Sequence, residues 1–247
     1  MTAEIPSWLR PHFQPGGGDP FLFYKIHGAF AEPLELSLSK HRSAGVPVGC
    51  ELQLLTTREA LDFGLDRGWI GDAFRAEQPV LAAEVARTEQ CLVLRGSPGD
   101  PDTLDYFRDA VGLVMAVLDS GGIAVFDPQM FKWWSTAEWR RDAFEPAGAV
   151  PHHHVVILAS EDSHGCWYHT RGLRKFGRPD LSIHDVPPEL EPAVRELCDR
   201  FIEMLAFGAV IPDGQLIRMP GLPAWKCRHA GDFSDPDFNN VHIEIGP

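Results

Sequence analysis

The stretch CLVLRGSPGDPDTLDYFRDAVGLVMAVLDSGGIAVF, Cys91 to Phe126, decides the fold of the first half of the chain. Its two ends, Cys91 to Arg95 and Gly122 to Phe126, are short apolar runs typical of strands. Between them, Asp100 and Pro101 suit the N-cap and first turn of a helix. Apolar residues then recur at spacings of three and four, which places them on one helical face: Leu104, Phe107, Val111, Val114 and Leu118. The pattern predicts a strand–helix–strand unit whose helix crosses between parallel strands.

The second half follows a similar order. His153 to Ala159 and Cys166 to Arg171 are strand candidates, and Asn240 to Ile245 is a closing strand. A helix begins near Asp185, and its apolar face repeats at three-four spacing: Leu190, Val194, Leu197, Phe201 and Leu205. We therefore expect an α+β protein made of two packed α/β-sandwich halves, ferredoxin-like, with each sheet covered by amphipathic helices.

Glycine and proline indicate where the halves begin and end. The run PGGGDP at 15–20 predicts a flexible arm or a turn, and we assign residues 1–20 to a flexible N-terminal arm. Residues 144–151 are rich in Ala, Gly and Pro, so we place the halves at 21–146 and 147–247. The two halves either fold separately or form one compact unit.

Composition excludes several classes of protein. Hydrophobic residues make up 44% of the 247 residues, and the formal net charge is −13. So acidic a chain is unsuited to nucleic acid or to anionic lipid. No apolar run approaches the roughly 20 residues that span a bilayer, and the N-terminus does not resemble a signal peptide. Five cysteines without a C-x-x-C pair favour a reduced, cytoplasmic protein.

Histidines are concentrated late in the chain, where eight of the eleven lie between 152 and 242. If His152 and His154 enter a strand, they point to one face, as do His242 and Glu244 in the last strand. If these strands are neighbours, the four side chains suit zinc or another divalent transition metal. His169 and His229 are further candidates. The alternative is a partly solvated strand edge, and no H-E-x-x-H spacing is present.

Four cations stand within eight residues: Arg171, Arg174, Lys175 and Arg178. Because guanidinium groups bind phosphate or carboxylate through paired hydrogen bonds, the run predicts an anion pocket or a docking site for an acidic partner. The alternative is a solvated loop that pairs with the chain's own carboxylates.

The cations belong to TRGLRKFGRPDLSI, Thr170 to Ile183. This stretch resembles the pattern T-x-G-x-x-x-F-G-x-P-(D/E)-L-x-I of an uncharacterised bacterial domain family of unknown function. The resemblance implies a shared scaffold and no reaction. Physically, Phe176 would anchor the loop in the core, and Pro179 would keep the preceding residues extended.

Two functions remain open on the sequence alone. We favour a non-enzymatic binding or regulatory protein of the bacterial cytosol, acting on a small anionic ligand or a partner protein, because no nucleophile–base–orienter set can be assembled. The alternative is a metal-dependent hydrolase in which His152, His154, His242 and Glu244 hold a metal that activates water.

Overall fold

The computed structural model describes residues 5–30, 34–61, 68–235 and 238–247. The predicted α+β class is confirmed, with one sheet of five strands and one of six, plus helices. The chain divides into two compact units. Unit 1 comprises Met1–Leu9, Phe21–Pro98 and Thr103–Val150, and unit 2 comprises Arg10–Pro20, Gly99–Asp102 and Pro151–Pro247. Within the described ranges, no helix has the length and apolar character needed to cross a membrane.

Unit 1 is built on a fully antiparallel sheet in the order β2-β3-β1-β4-β5. Its elements are β1 (Leu22–Gly28), α1 (Leu38–His41), β2 (Cys50–Thr56), α2 (Thr57–Leu61), α3 (Trp69–Glu77), α4 (Pro79–Val85), β3 (Gln90–Gly96), α5 (Asp105–Asp119), β4 (Gly122–Asp127), β5 (Lys132–Ser135) and α6 (Thr136–Glu138), which continues into a π-helical stretch, Trp139–Phe144.

The predicted strand–helix–strand unit is β3-α5-β4. Its two strands are parallel, but they are not hydrogen-bonded neighbours, because β1 lies between them and is antiparallel to both. This is the split β-α-β arrangement of ferredoxin-like sheets. The helix begins at Asp105 and not at Asp100, and it is buried on more than its apolar face. A Cβ on Gly112 would lie 2.0 Å from the carbonyl oxygen of His41, so α5 is also covered by the residues that follow α1.

Unit 2 has the strand order β6-β7-β8-β11-β10-β9, in which only the β8–β11 pair is parallel. Its elements are β6 (Val156–Asp162), β7 (Gly165–Arg171), β8 (Asp180–Val186), α7 (Glu191–Ala206), β9 (Leu216–Ile217), β10 (Trp225–Ala230) and β11 (His242–Gly246), with a short 3-10 turn at Pro151–His153 and another at Leu173–Phe176.

One face of the unit 2 sheet packs against α7. Tyr168 donates its hydroxyl to Glu191 at the start of α7, at 2.8 Å, so Tyr168 marks the covered face. Residues Trp167 and His169 alternate with it and lie on the opposite face, which we call the open face. The pairing register between β7 and β8 shifts opposite Trp167, where Asp185 of β8 takes a φ of 52°. The extra residue of this bulge lies in β8, so the side chains of β7 still alternate between the two faces.

Residues 10–20 belong to unit 2 and are held there by backbone hydrogen bonds. The amide of His12 donates to the carbonyl of Phe207 at 3.1 Å, and that of Gln14 donates to Gly208 at 3.0 Å. A Cβ on Gly17 would lie 2.2 Å from the guanidinium of Arg178. The glycine run is therefore a close-packed turn of unit 2, in which a side chain would not fit.

Candidate functional site

The loop between β7 and β8 is organised around one buried carboxylate, Asp180. Its Oδ1 accepts from the hydroxyl of Thr170 at 3.0 Å and from the amide of Leu173 at 3.2 Å. Its Oδ2 accepts from the side-chain amide of Asn240 at 2.8 Å. Burial raises the pKa of Asp180 to about 6, against the hydrogen bonds and the charge of Arg171, which lower it.

Two glycines of the same loop are required by close backbone contacts. Gly172 has a φ of 119°, and a Cβ there would lie 2.4 Å from the carbonyl oxygen of His154. Gly177 has a φ of 65°, and its Cβ would lie 2.3 Å from the carbonyl oxygen of Gly18. Phe176 is fully buried, as its anchoring role predicts. These positions thus have architectural reasons for their residue types.

Arg178 is the central cation of unit 2, and its side chain is fully buried. Nε donates to the carbonyl of Ala209 at 3.0 Å. One terminal nitrogen donates to Asp100 at 3.1 Å and to the carbonyl of Gly177 at 2.7 Å. The other donates to two carbonyls, those of Gln14 at 3.1 Å and Gly208 at 2.9 Å. All five guanidinium donors are therefore used within the protein.

The other three predicted anion ligands do not join Arg178 in one open pocket. Arg171 and Lys175 are buried, and Arg171 donates to the carbonyl of Phe238 at 3.2 Å. Arg174 is half-buried, donates to the carbonyl of Asn239 at 2.6 Å, and has a pKa lowered by burial. In the sequence these four residues suggest a charged surface loop. In the fold, most of their side chains are buried.

The four predicted metal ligands are not brought together. His152 is exposed in the turn Pro151–His153, and its Nδ1 lies 3.6 Å from an oxygen of Asp199. His154 is buried and precedes β6, and β7 and β8 separate β6 from β11. Only His242 and Glu244 are near each other, with 4.0 Å between Nε2 and Oε1. Among the described residues, no group of three or more His, Cys, Asp or Glu side chains is arranged to hold a metal ion.

Histidines instead flank a tryptophan on the open face. The Trp167 ring stacks with His169 at a centroid distance of 4.0 Å and with His184 at 5.1 Å. The indole nitrogen donates to the hydroxyl of Ser182 at 2.9 Å. Burial lowers the pKa of His169 to about 4, and the charges of Arg171 and His184 act in the same direction. His169 is therefore a neutral imidazole at physiological pH.

A cavity of about 120 Å³ lies within unit 2, and its lining includes Gly16, Gly17, Arg178, Ile211, His229 and His242. His229 donates from Nε2 to the carbonyl of Ile211 at 2.7 Å. His242 is 8% exposed and stacks on Phe238 at 4.3 Å. This cavity unites Arg178 of the predicted anion set with His242 of the predicted metal set.

Sequence reasoning missed the contribution of Gly16 and Gly17 to this cavity, because a glycine run without Gly-Lys-Ser/Thr has no defined partner in the sequence. The sequence does contain one indication of such packing. Gly172 and Gly177, on either side of Phe176, form a second pair of glycines that permits close backbone contact. No protein-family model, no curated protein and no solved structure matches the chain, so its family is not shown and the site is interpreted from its geometry.

Proposed function

We propose that this protein is a non-enzymatic binding protein for a small anionic ligand. The supporting observation is the charge balance inside unit 2. Among its described residues, four cations are buried: Arg10, Arg171, Lys175 and Arg178. In the described part of unit 2, Asp180 is the one carboxylate buried to the same degree. Asp100, whose side chain is 13% exposed, pairs with both Arg10 and Arg178.

Such an excess of buried positive charge favours an anion. A buried cation is tolerated when hydrogen bonds and counter-charges compensate its lost hydration. Asp100 is the counter-charge of both Arg10 and Arg178, and backbone carbonyls accept the remaining hydrogen bonds of Arg178 without carrying a full charge. A bound anion would add further negative charge to this group of cations. Because the whole chain carries −13, the attraction must be local, and it is strongest close to these cations.

The cysteines fit the cytoplasmic location that we propose for this protein. None of the five, all of which are described, forms a disulfide bond. Reduced thiols are typical of a compartment held at low redox potential.

A thermal-shift screen tests the proposal. Sodium phosphate, sulfate, acetate and citrate are compared with sodium chloride at equal ionic strength. An anion at ten times its Kd stabilises the folded state by about 1.4 kcal/mol, a Tm increase of about 3 to 6 °C for a domain of this size. If none of the anions raises the Tm above that in chloride, the proposed function is wrong.

A further inference from the structure

We infer that this protein pairs with a second copy of itself along strand β2, which forms one edge of the unit 1 sheet. Two antiparallel β2 strands then join two five-stranded sheets into one continuous sheet across the copies. This interaction surface goes beyond the proposed function, which concerns unit 2, and either one can be wrong without the other.

The residues of β2 direct their backbone groups alternately toward β3 and toward the outer edge. The amide of Thr56 donates to the side chain of Glu59 in α2 at 2.8 Å, so it does not face β3. The amide of Cys50 likewise donates to the carbonyl of the preceding Pro47, at 2.9 Å. Both ends of the strand therefore show that its even-numbered residues face the outer edge.

Leu52 and Leu54 are the even-numbered residues between these two ends. Among the described residues, no hydrogen bond is made by their backbone amides and carbonyls on the outer edge. The side chain of Leu54 is also 45% exposed. Unpaired backbone groups on an edge strand form a template for another strand, and exposed apolar residues beside them favour its addition.

Strand β2 is complementary to itself in the antiparallel register centred on Gln53. A two-fold axis there places Leu52 of each copy opposite Leu54 of the other. Each of these two leucine pairs exchanges two backbone hydrogen bonds, which uses all the amides and carbonyls that the leucines leave unpaired. Their side chains form apolar cross-strand pairs on one face of the sheet. The two Gln53 side chains meet on the other face, where an amide can both donate and accept.

Local charge does not oppose this register. Glu51 is the one charged residue of β2, and it pairs with Arg95 of β3 at 2.6 Å. The register places it opposite Leu55 of the other copy and not opposite another carboxylate. At longer range the net charge of −13 on each copy is repulsive, and salt screens such repulsion. We therefore expect the pairing to strengthen as the salt concentration rises.

The other sheet edges are less suited to a second copy. Strands β5 and β9 have only four and two residues, and such short edges offer few groups to pair. Strand β6 has seven residues, as β2 does, but it ends in Glu161 and Asp162. Antiparallel pairing over the whole of β6 would place these carboxylates opposite Ile157 and Val156. The sequence of β2 is therefore the better match for self-pairing.

Sedimentation velocity on the full chain tests the inference from about 5 to 500 µM protein, because a contact of this size is weak and reversible. The wild type should shift from monomer to dimer as its concentration rises, and more so in sodium chloride at about 0.5 M than at about 0.05 M. Leu54→Lys places a charge in the leucine pairs and should weaken dimerisation at least about tenfold. Leu216→Lys is the matched control, since Leu216 is 53% exposed in β9 and the change in charge is the same.

A cysteine crosslink tests the register. Opposite residues of a non-hydrogen-bonded antiparallel pair have Cα atoms about 4.5 Å apart, which a disulfide can span. Gln53→Cys should therefore form a disulfide-linked dimer in oxidised glutathione, above the level of the wild type with its five native cysteines. Glu51→Cys is the control on the same face of the strand, because the register separates its two copies by roughly 13 Å.

Three results would overturn parts of this inference. A wild type that stays monomeric at every protein and salt concentration excludes the pairing. A dimer that Leu54→Lys and Leu216→Lys weaken equally uses another surface. Equal crosslinking of Gln53→Cys and Glu51→Cys shows that the register is wrong. Anion binding is decided separately, by the thermal-shift screen.

Discussion

His169 makes the stability of this protein depend on pH. Its ring is 7% exposed and stacks on Trp167, and its pKa is about 4, whereas an unperturbed histidine has a pKa of about 6.5. Between these values the unfolded chain binds a proton that the folded chain does not. The stabilisation is therefore complete above pH 6.5 and is lost as the pH falls toward 4. From pH 7.5 to 5.0 the loss is about 2 kcal/mol, or about 1 to 2 kcal/mol after solvent screening at the sheet face.

Asp180 acts in the opposite direction. Its pKa is about 6 in the folded protein and about 3.9 in an unfolded chain. The folded state therefore binds the extra proton, and this stabilisation is complete below pH 3.9 and is lost as the pH rises through 6. From pH 7.5 to 5.0 Asp180 contributes a gain of about 1.4 kcal/mol. In the wild type the two effects nearly cancel, and replacing His169 separates them.

The variant His169→Gln removes the titration of the imidazole and keeps a polar side chain. Urea unfolding followed by circular dichroism at pH 7.5 and 5.0 measures the result. For each protein we compare the free energy of unfolding at pH 5.0 with that at pH 7.5. We expect this difference to be about 1 to 2 kcal/mol more favourable in the variant than in the wild type. His164→Gln, whose side chain is 84% exposed, is the control and should follow the wild type. An identical pH dependence in His169→Gln and the wild type would refute this account of His169.

Two substitutions test the architecture of the loop. Arg178→Met removes one of the two buried arginine partners of Asp100 and the donor to several carbonyls, so we expect a loss of about 3 to 5 kcal/mol in urea unfolding. For Arg228→Met, whose side chain is 65% exposed, we expect less than about 0.5 kcal/mol, and equal losses would contradict the central role of Arg178. Gly172→Ala places a Cβ at a φ of 119° and close to a carbonyl oxygen, so we expect the free energy of unfolding to fall by at least about 2 kcal/mol. Gly148→Ala is the control, because a Cβ there meets open space and should change the Tm little. An unchanged Tm in Gly172→Ala would show that the loop can relax.

Local pattern predicted β3, α5 and β4 of unit 1 but not the order of the strands in its sheet. The three-four spacing around α5 identified the helix, and the apolar runs identified β3 and β4. The insertion of β1 between these strands depends on pairing with residues some 65 to 100 positions away, as in Ile26 with Leu92 and Val125. Nothing in the local sequence distinguishes adjacent parallel strands from parallel strands separated by a third.

The same limit explains the histidines. Alternation along a strand correctly relates His242 to Glu244, because they are two residues apart in β11. It does not relate them to His152 or His154, because that requires the strand order. The 3-10 turn after Pro151 also removes both histidines from the strand they were expected to enter.

Burial of Arg178 is the least predictable feature of the fold, and the proposed function depends on it. In sequence, a cation between glycine and proline is typical of an exposed turn. In the fold, Gly17 and Gly177 allow the backbone to approach the guanidinium of Arg178. The carbonyls of Gly208 and Ala209, just past the end of α7, accept hydrogen bonds from it. Because these contacts hold the guanidinium of Arg178 in place, its position depends on the packing of the glycine turn and of the residues after α7, which no local pattern around residue 178 specifies.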